Sequence, residues 1–124
     1  MLHGIGVDIL SVSRLETLRG KFDDPFFTKT FTQAEYSEAM ARPDPIVYFA
    51  GRFAAKEAVL KALGGVEGKF RFNEIETLND GSGKPYVSLH GLAKETQDAN
   101  GVKNLFVSLS NDGGYVVAYA ICEK

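Results

Sequence analysis

The 124-residue sequence holds a single cysteine, Cys122, so no internal disulfide forms, and it contains no metal-type cluster of cysteine and histidine. It has no apolar run of about 18 residues, which excludes a helical bilayer span. Charge of one sign is not in excess: 14 Lys and Arg face 16 Asp and Glu, a net charge of −2. No overall basic field therefore attracts nucleic acid or a membrane surface. The first ten residues, MLHGIGVDIL, lack a basic start and carry Asp8 within the apolar stretch, so they do not read as a signal peptide. A reduced, cytoplasmic compartment is expected. There is no internal repeat and no Pro- or Ser-rich linker, and the chain 1–124 reads as one domain. With 44% apolar and 24% charged residues, collagen-like, low-complexity and disordered chains are excluded.

The order of local patterns predicts an α+β domain, a mainly antiparallel sheet packed on a long helix. Residues 3–10 alternate around two glycines and read as a strand at or near the sheet's centre. Val12, Leu15 and Leu18 follow at helical spacing, with Gly20 as a stop. Thr32 and Glu35 have capping-box spacing, so a helix is expected from there to before Pro43. Residues 45–63 are rich in Ala and Leu and end at Gly64-Gly65, a strong helix with a clear C-terminal signal. Two hairpins are predicted, FRFNEIETL and KPYVSLH around NDGSG, then NLFVSLS and YVVAYAI around NDGG. A short helix, GLAKETQDANG, separates them.

On the long helix, Phe49, Phe53, Leu60 and Leu63, with Val59 nearby, form a stripe that must be buried. Another face carries Ala50, Ala54, Glu57 and Lys61, with Ala58 at its edge, where a ligand can approach closely. Glu57 and Lys61 also fit an ordinary i,i+4 pair, worth about 0.2–0.5 kcal/mol when exposed. Arg52 and Lys56 are a basic pair that fits snorkelling cations equally well. Asp8 interrupts an apolar run, where an inward carboxylate needs a partner or a metal. A strand Asp with a helix Glu makes half a shell for Mg²⁺, whose other positions take waters or phosphates. Nearby Lys and Arg suit a phosphorylated substrate. His3 and His90 read as structural or solvent-exposed, Cys122 as a small core or edge residue, and Phe26 and Phe27 as core or subunit contacts.

These residues carry a resemblance. GIGVDI at 4–9, FTQAE at 31–35, GRFAAKEAVLKALG at 51–64, GSGKPYVSL at 81–89 and VSLS at 107–110 occur in the order and spacing of one family. Together they resemble the holo-acyl-carrier-protein synthases, the small class of 4′-phosphopantetheinyl transferases. The resemblance implies transfer of the 4′-phosphopantetheine arm of coenzyme A to a serine of an acyl carrier protein, releasing adenosine 3′,5′-bisphosphate. It further implies Mg²⁺ dependence and a homotrimer with active sites between subunits.

Carried over by motif, Asp8 and Glu57 are implied to hold Mg²⁺, and Arg52, Lys56 and Lys61 to contact coenzyme A phosphates. Glu57 and Lys61 are the implied catalytic pair, with Glu57 also available as a base. Gly83, Lys84 and Pro85 are expected along the nucleotide, and Ser110 with Asn111 at its phosphates. Arg14 matches a carrier-binding position, with Arg19 and Lys21 as looser candidates. The family usually has histidine where Asn111 stands, and an asparagine can donate a hydrogen bond but carries no charge. Two further readings share the same residues: a catalytically silent module that binds coenzyme A or the carrier, and a Mg²⁺-dependent diphosphate hydrolase.

Overall fold

The computed structural model describes residues 1–64 and 70–124. Its central element is α3 (Pro45–Leu63), and the local sequence accounts for both ends. Asp44 caps the start by accepting hydrogen bonds from the Ile46 and Val47 amides at 3.2 and 3.4 Å, and Pro45 needs no donor partner in the first turn. Gly64 ends the helix with φ of +71°, a left-handed conformation natural to glycine. Gly65, the second half of the expected stop signal, lies outside the described residues.

Three antiparallel strands form the larger sheet: β1 (Leu2–Ser11), β5 (Tyr115–Glu123) and β4 (Asn104–Asp112). Their order is β1-β5-β4, so the first strand is an edge and not the centre as expected. The last strand takes the middle because β1 and β4 both pair with it. β2 (Ile75–Asn79) and β3 (Pro85–Leu89) form a separate two-stranded sheet, joined as the predicted hairpin. The α+β class with antiparallel pairing stands, with the sheet in two parts.

Two other expectations change. Val12–Leu18 winds as a 3-10 helix and not as an α-helix. An unanticipated α1 (Pro25–Thr30) follows, capped by the Asp24 carboxylate. α2 (Gln33–Met40) starts on the predicted capping box: the Glu35 amide donates to Thr32 Oγ1 (3.2 Å) and the Thr32 amide to Glu35 Oε1 (2.9 Å). α4 (Gly91–Ala99) is the short helix between hairpins.

The core lies between α3 and the sheet. Phe49, Val59, Leu60 and Leu63 are buried as expected, and Phe53 partly so. Phe49 also meets Phe27 and Phe31, each ring 4.7 Å away, in an aromatic cluster under α1. The small residues on α3 receive the sheet, not a ligand: Ala50, Ala54 and Ala58 are completely buried. A Cβ on Gly4 or Gly6 would collide with the carbonyl oxygens of Ala62 and Ala58, so strand and helix meet backbone to backbone.

The other face of the sheet is uncovered in one copy of the chain, with Ile5, Val7, Ile9, Phe106 and Tyr119 exposed. None of the described helices is long and apolar enough to cross a membrane.

Candidate active site

The sequence-predicted residues gather on two opposite flanks of α3. Arg52 and Glu57 are five residues apart, which turns them roughly 140° around the helix axis. Because the alanine face, which fills the wider arc between them, is pressed onto the sheet, one flank opens beside β1 and the other beside β4.

On the β1 flank, Asp8 alternates with Gly6 and Leu10 and therefore faces α3. Lys61 reaches across and donates to the Val7 carbonyl at 2.9 Å. Its Nζ also lies 3.5 Å from Asp8 Oδ1. The lysine side chain stays 54% exposed while that of Asp8 is 19% exposed. Glu57, half-buried, stands one turn before Lys61 on the same helix. Asp8 is thus beside the Lys61 ammonium, and Glu57 shares that side of α3 by its i,i+4 spacing. Among the described residues no group of three or more His, Cys, Asp or Glu forms a metal cage. A cation held by Asp8 and Glu57 has to complete its shell from water or substrate oxygens, which is the habit of Mg²⁺.

On the β4 flank a cavity of about 420 Å³ is lined by Arg42, Tyr48, Arg52, Asn79, Ser110 and Asn111, among others. Arg52 is only 5% exposed. Its Nη2 donates to the Asn79 amide oxygen at 2.8 Å, and its Nε is buried with no partner among the described residues. A buried guanidinium met by a neutral amide favours an incoming anion. Asn111 belongs to the ladder, paired with Val116, and Asp112 pairs with Tyr115. The tight turn is Gly113-Gly114, both at positive φ, and not the whole of NDGG.

Lys56 corrects the expectation of a phosphate contact. Its side chain is fully enclosed, and Nζ donates to Glu35 Oε1 at 2.7 Å, to the Phe72 carbonyl at 3.0 Å and to the Ile75 carbonyl. It is neither a snorkelling cation nor reachable by a nucleotide. Burial pushes its pKa down, against the opposing pull of Glu35.

Gly83, Lys84 and Pro85 do not line the cavity, but Asn79, which does, pairs with Pro85 across the hairpin. The Asp80 carboxylate shapes that turn by accepting from the Ser82 and Lys84 amides at 2.8 and 3.0 Å. Arg14 borders a small apolar cavity with Leu10, Leu18, Phe26 and Phe53. Arg19 is tied to Glu16 and Asp44 at 2.8 and 3.0 Å, while Lys21 is exposed. Its guanidinium holds the Asp44 carboxyl below the usual range.

Among the polar residues of the lining, Arg42, Asp44, Tyr48 and Asn79 escaped the sequence reading. Tyr48 had a local signal, being one turn before Arg52. Arg42 and Asn79 had none, because only the tertiary fold brings them to α3.

Known proteins resemble the chain in sequence and fold. The holo-[acyl-carrier-protein] synthase of Natranaerobius thermophilus is 40% identical over 121 residues, 98% of this chain and 97% of the relative. The crystal structure of the Neisseria meningitidis synthase superposes with a TM-score of 0.89 at 34% identity, covering 100% of both chains. The Helicobacter pylori synthase, solved in complex with coenzyme A, has a TM-score of 0.79 at 29% identity, covering 96% of this chain and 99% of that one. The family model described as the 4′-phosphopantetheinyl transferase superfamily matches residues 4–120, and the chain belongs to that superfamily.

Proposed function

We propose that the chain is a holo-[acyl-carrier-protein] synthase, working in the cytoplasm in fatty acid biosynthesis. It transfers the 4′-phosphopantetheine of coenzyme A to a serine of an apo acyl carrier protein or carrier domain and releases adenosine 3′,5′-bisphosphate. The observation that carries this reading is the division of α3 into two unlike flanks. One carries Asp8, Glu57 and Lys61, a donor set that would suit a divalent cation and a diphosphate. The other offers a buried, incompletely bonded arginine, suited to a nucleotide phosphate.

Asp8 and Glu57 hold Mg²⁺ in this proposal. When bound, the ion neutralises charge on the diphosphate. The serine oxygen bonds to the phosphorus that carries pantetheine, and the phosphoanhydride P–O bond breaks toward adenosine 3′,5′-bisphosphate. Glu57 takes the serine proton, directly or through a water. Lys61, already beside Asp8, offsets charge on the departing oxygen. Arg52, Ser110 and Asn111 bind coenzyme A from the β4 flank, with Gly83, Lys84 and Pro85 along the nucleotide. Arg14, backed by Lys21 and Arg19, meets the acidic carrier.

In this proposal one coenzyme A spans the β1 flank of one copy and the β4 flank of a neighbouring copy, since α3 stands between the two flanks within a chain. The exposed apolar sheet face, with Ile5, Val7, Ile9, Phe106 and Tyr119, is the surface a second copy covers. The proposed state is a homotrimer with sites between subunits.

Mass spectrometry of an apo carrier protein incubated with coenzyme A and Mg²⁺ tests the activity. Gain of one phosphopantetheine is expected. Binding with no mass gain selects the silent module, and hydrolysed coenzyme A selects the hydrolase. Light scattering of the wild type and Val7→Asp tests the assembly: a trimeric wild type and a dissociated variant are expected, and a monomeric, active wild type overturns it.

A further inference from the structure

Tyr48 has no part in the chemistry above, yet two guanidinium groups converge on its ring. The Arg52 Cζ lies 4.2 Å from the ring centroid and that of Arg42 5.0 Å from it. Both cations line the same cavity and repel one another, a repulsion that Asp44 in the lining and Glu38 beside Arg42 offset in part. An electron-rich ring face attracts both at once and adds no net charge to the cavity, while the Glu38 carboxylate, 4.0 Å from Arg42 Nη2, pairs with the outer arginine only.

The ring is itself fixed. Its hydroxyl donates to Glu38 Oε1 at 2.5 Å, and that oxygen also accepts from the Asn79 amide at 3.4 Å. Asn79 in turn accepts from Arg52 through its side chain. Glu38, Tyr48, Arg52 and Asn79 thus close a circuit joining α2, α3 and β2. Burial first, then the bond to Glu38, pushes the Tyr48 phenol up to about 12, which keeps it a donor.

We propose that Tyr48 is a positioning residue whose ring is a shared platform for Arg42 and Arg52, assembling a two-guanidinium phosphate clamp before the nucleotide arrives. The inference rests on the cavity being the nucleotide-phosphate site. The benefit is preorganisation: the two arginines need not be gathered against their repulsion during binding. Unlike a packing role, this one depends on the electron density of the ring.

The test replaces Tyr48 in the full-length protein by phenylalanine, 3,5-difluorophenylalanine and pentafluorophenylalanine, which withdraw electrons stepwise at nearly constant shape. Calorimetry then measures binding of inorganic pyrophosphate and adenosine 3′,5′-bisphosphate. Phenylalanine is expected to retain affinity within about threefold, and pentafluorophenylalanine to lose about tenfold, with the difluoro form between. The KM for coenzyme A should rise in step, with kcat moving less than about threefold. Tyr48→Leu, if it folds, should lose at least as much as the pentafluoro form. Affinity that is flat across the fluorine series overturns the platform, as does a wild type that binds neither anion. Fluorine-dependent binding without mass gain on the carrier keeps the platform and overturns the transferase reading.

Discussion

Lys56 and Lys61 leave the same helix five residues apart, and their surroundings have almost nothing in common. Lys56 points between α2 and β2, completely enclosed, with Glu35, two backbone carbonyls and the Phe31 ring around its ammonium. Lys61 points over the edge of the sheet, more than half exposed, with the Val7 carbonyl and Asp8 beside it. The helix treats the two alike: both are lysines in an Ala-rich stretch, each one turn from another charged residue. What separates them is the partner that the tertiary fold supplies. For Lys56 the carboxylate sits 21 residues upstream, on α2. For Lys61 it sits 53 residues upstream, on β1. A cation with every donor used inside the protein holds the fold, and one with a solvent-facing amine is available to a substrate.

That contrast can be broken most sharply at Lys56. Lys56→Met leaves the Glu35 carboxylate buried without its cation, and a cost of about 3–5 kcal/mol is expected in urea unfolding. Combining Lys56→Met with Glu35→Leu removes both charges, so the double variant should be more stable than the single one. Lys61→Met should move stability by no more than about 0.5 kcal/mol, the ordinary range for a surface change, while slowing transfer. Equal destabilisation by the two methionines would erase the distinction between them.

The second contrast lies between the flanks of α3. Asp8→Asn and Glu57→Gln keep the shape of each side chain and remove the charge owed to a hard cation. Each should lower transfer by about two orders of magnitude at limiting Mg²⁺, or about 2.7 kcal/mol, with the melting temperature little changed. Coenzyme A should still bind through the β4 flank. Near-wild-type turnover in both amides would remove the metal from these residues.

How far the sequence carries this picture depends on the distance between partners. The ends of α3, the Thr32–Glu35 box and the two hairpins are written in neighbouring residues, and all were legible. The alanine face was legible as a place of close approach, but what approaches is Gly4 and Gly6 of β1, which no local pattern reveals. The placing of β1 at an edge follows from pairing with a strand more than 100 residues later. Glu35 shows the limit within one residue. Its role in the box is local and was anticipated, while its bonds to Lys56 and the Thr77 amide join segments distant in sequence. The candidate site divides the same way: Asp8, Glu57 and Lys61 are candidates from motif, and Arg42 and Asn79 join the cavity only through the fold.

The smallest expected effect on substrate binding or transfer is at Asn111, the position directly after the VSLS run. Asn111 sits in the β4 ladder and lines the Arg52 cavity, so its amide is placed to donate to a phosphate and cannot titrate. Removing one hydrogen bond to a charged group, with the site still open to water, should raise the KM for coenzyme A about tenfold in Asn111→Ala, or ~1.5 kcal/mol. Asn111→His should restore binding and add a titration. An imidazole beside phosphate is favoured in its charged form, so coenzyme A should bind more tightly as pH falls through about 6.5 and more weakly as it rises above. The wild type and Asn111→Ala should show no such limb from this position. The measurement is the pH dependence of kcat and kcat/KM for all three proteins. Profiles that superimpose, with KM unmoved, would make Asn111 a ladder residue only and leave the β4 flank to Arg52 and its neighbours.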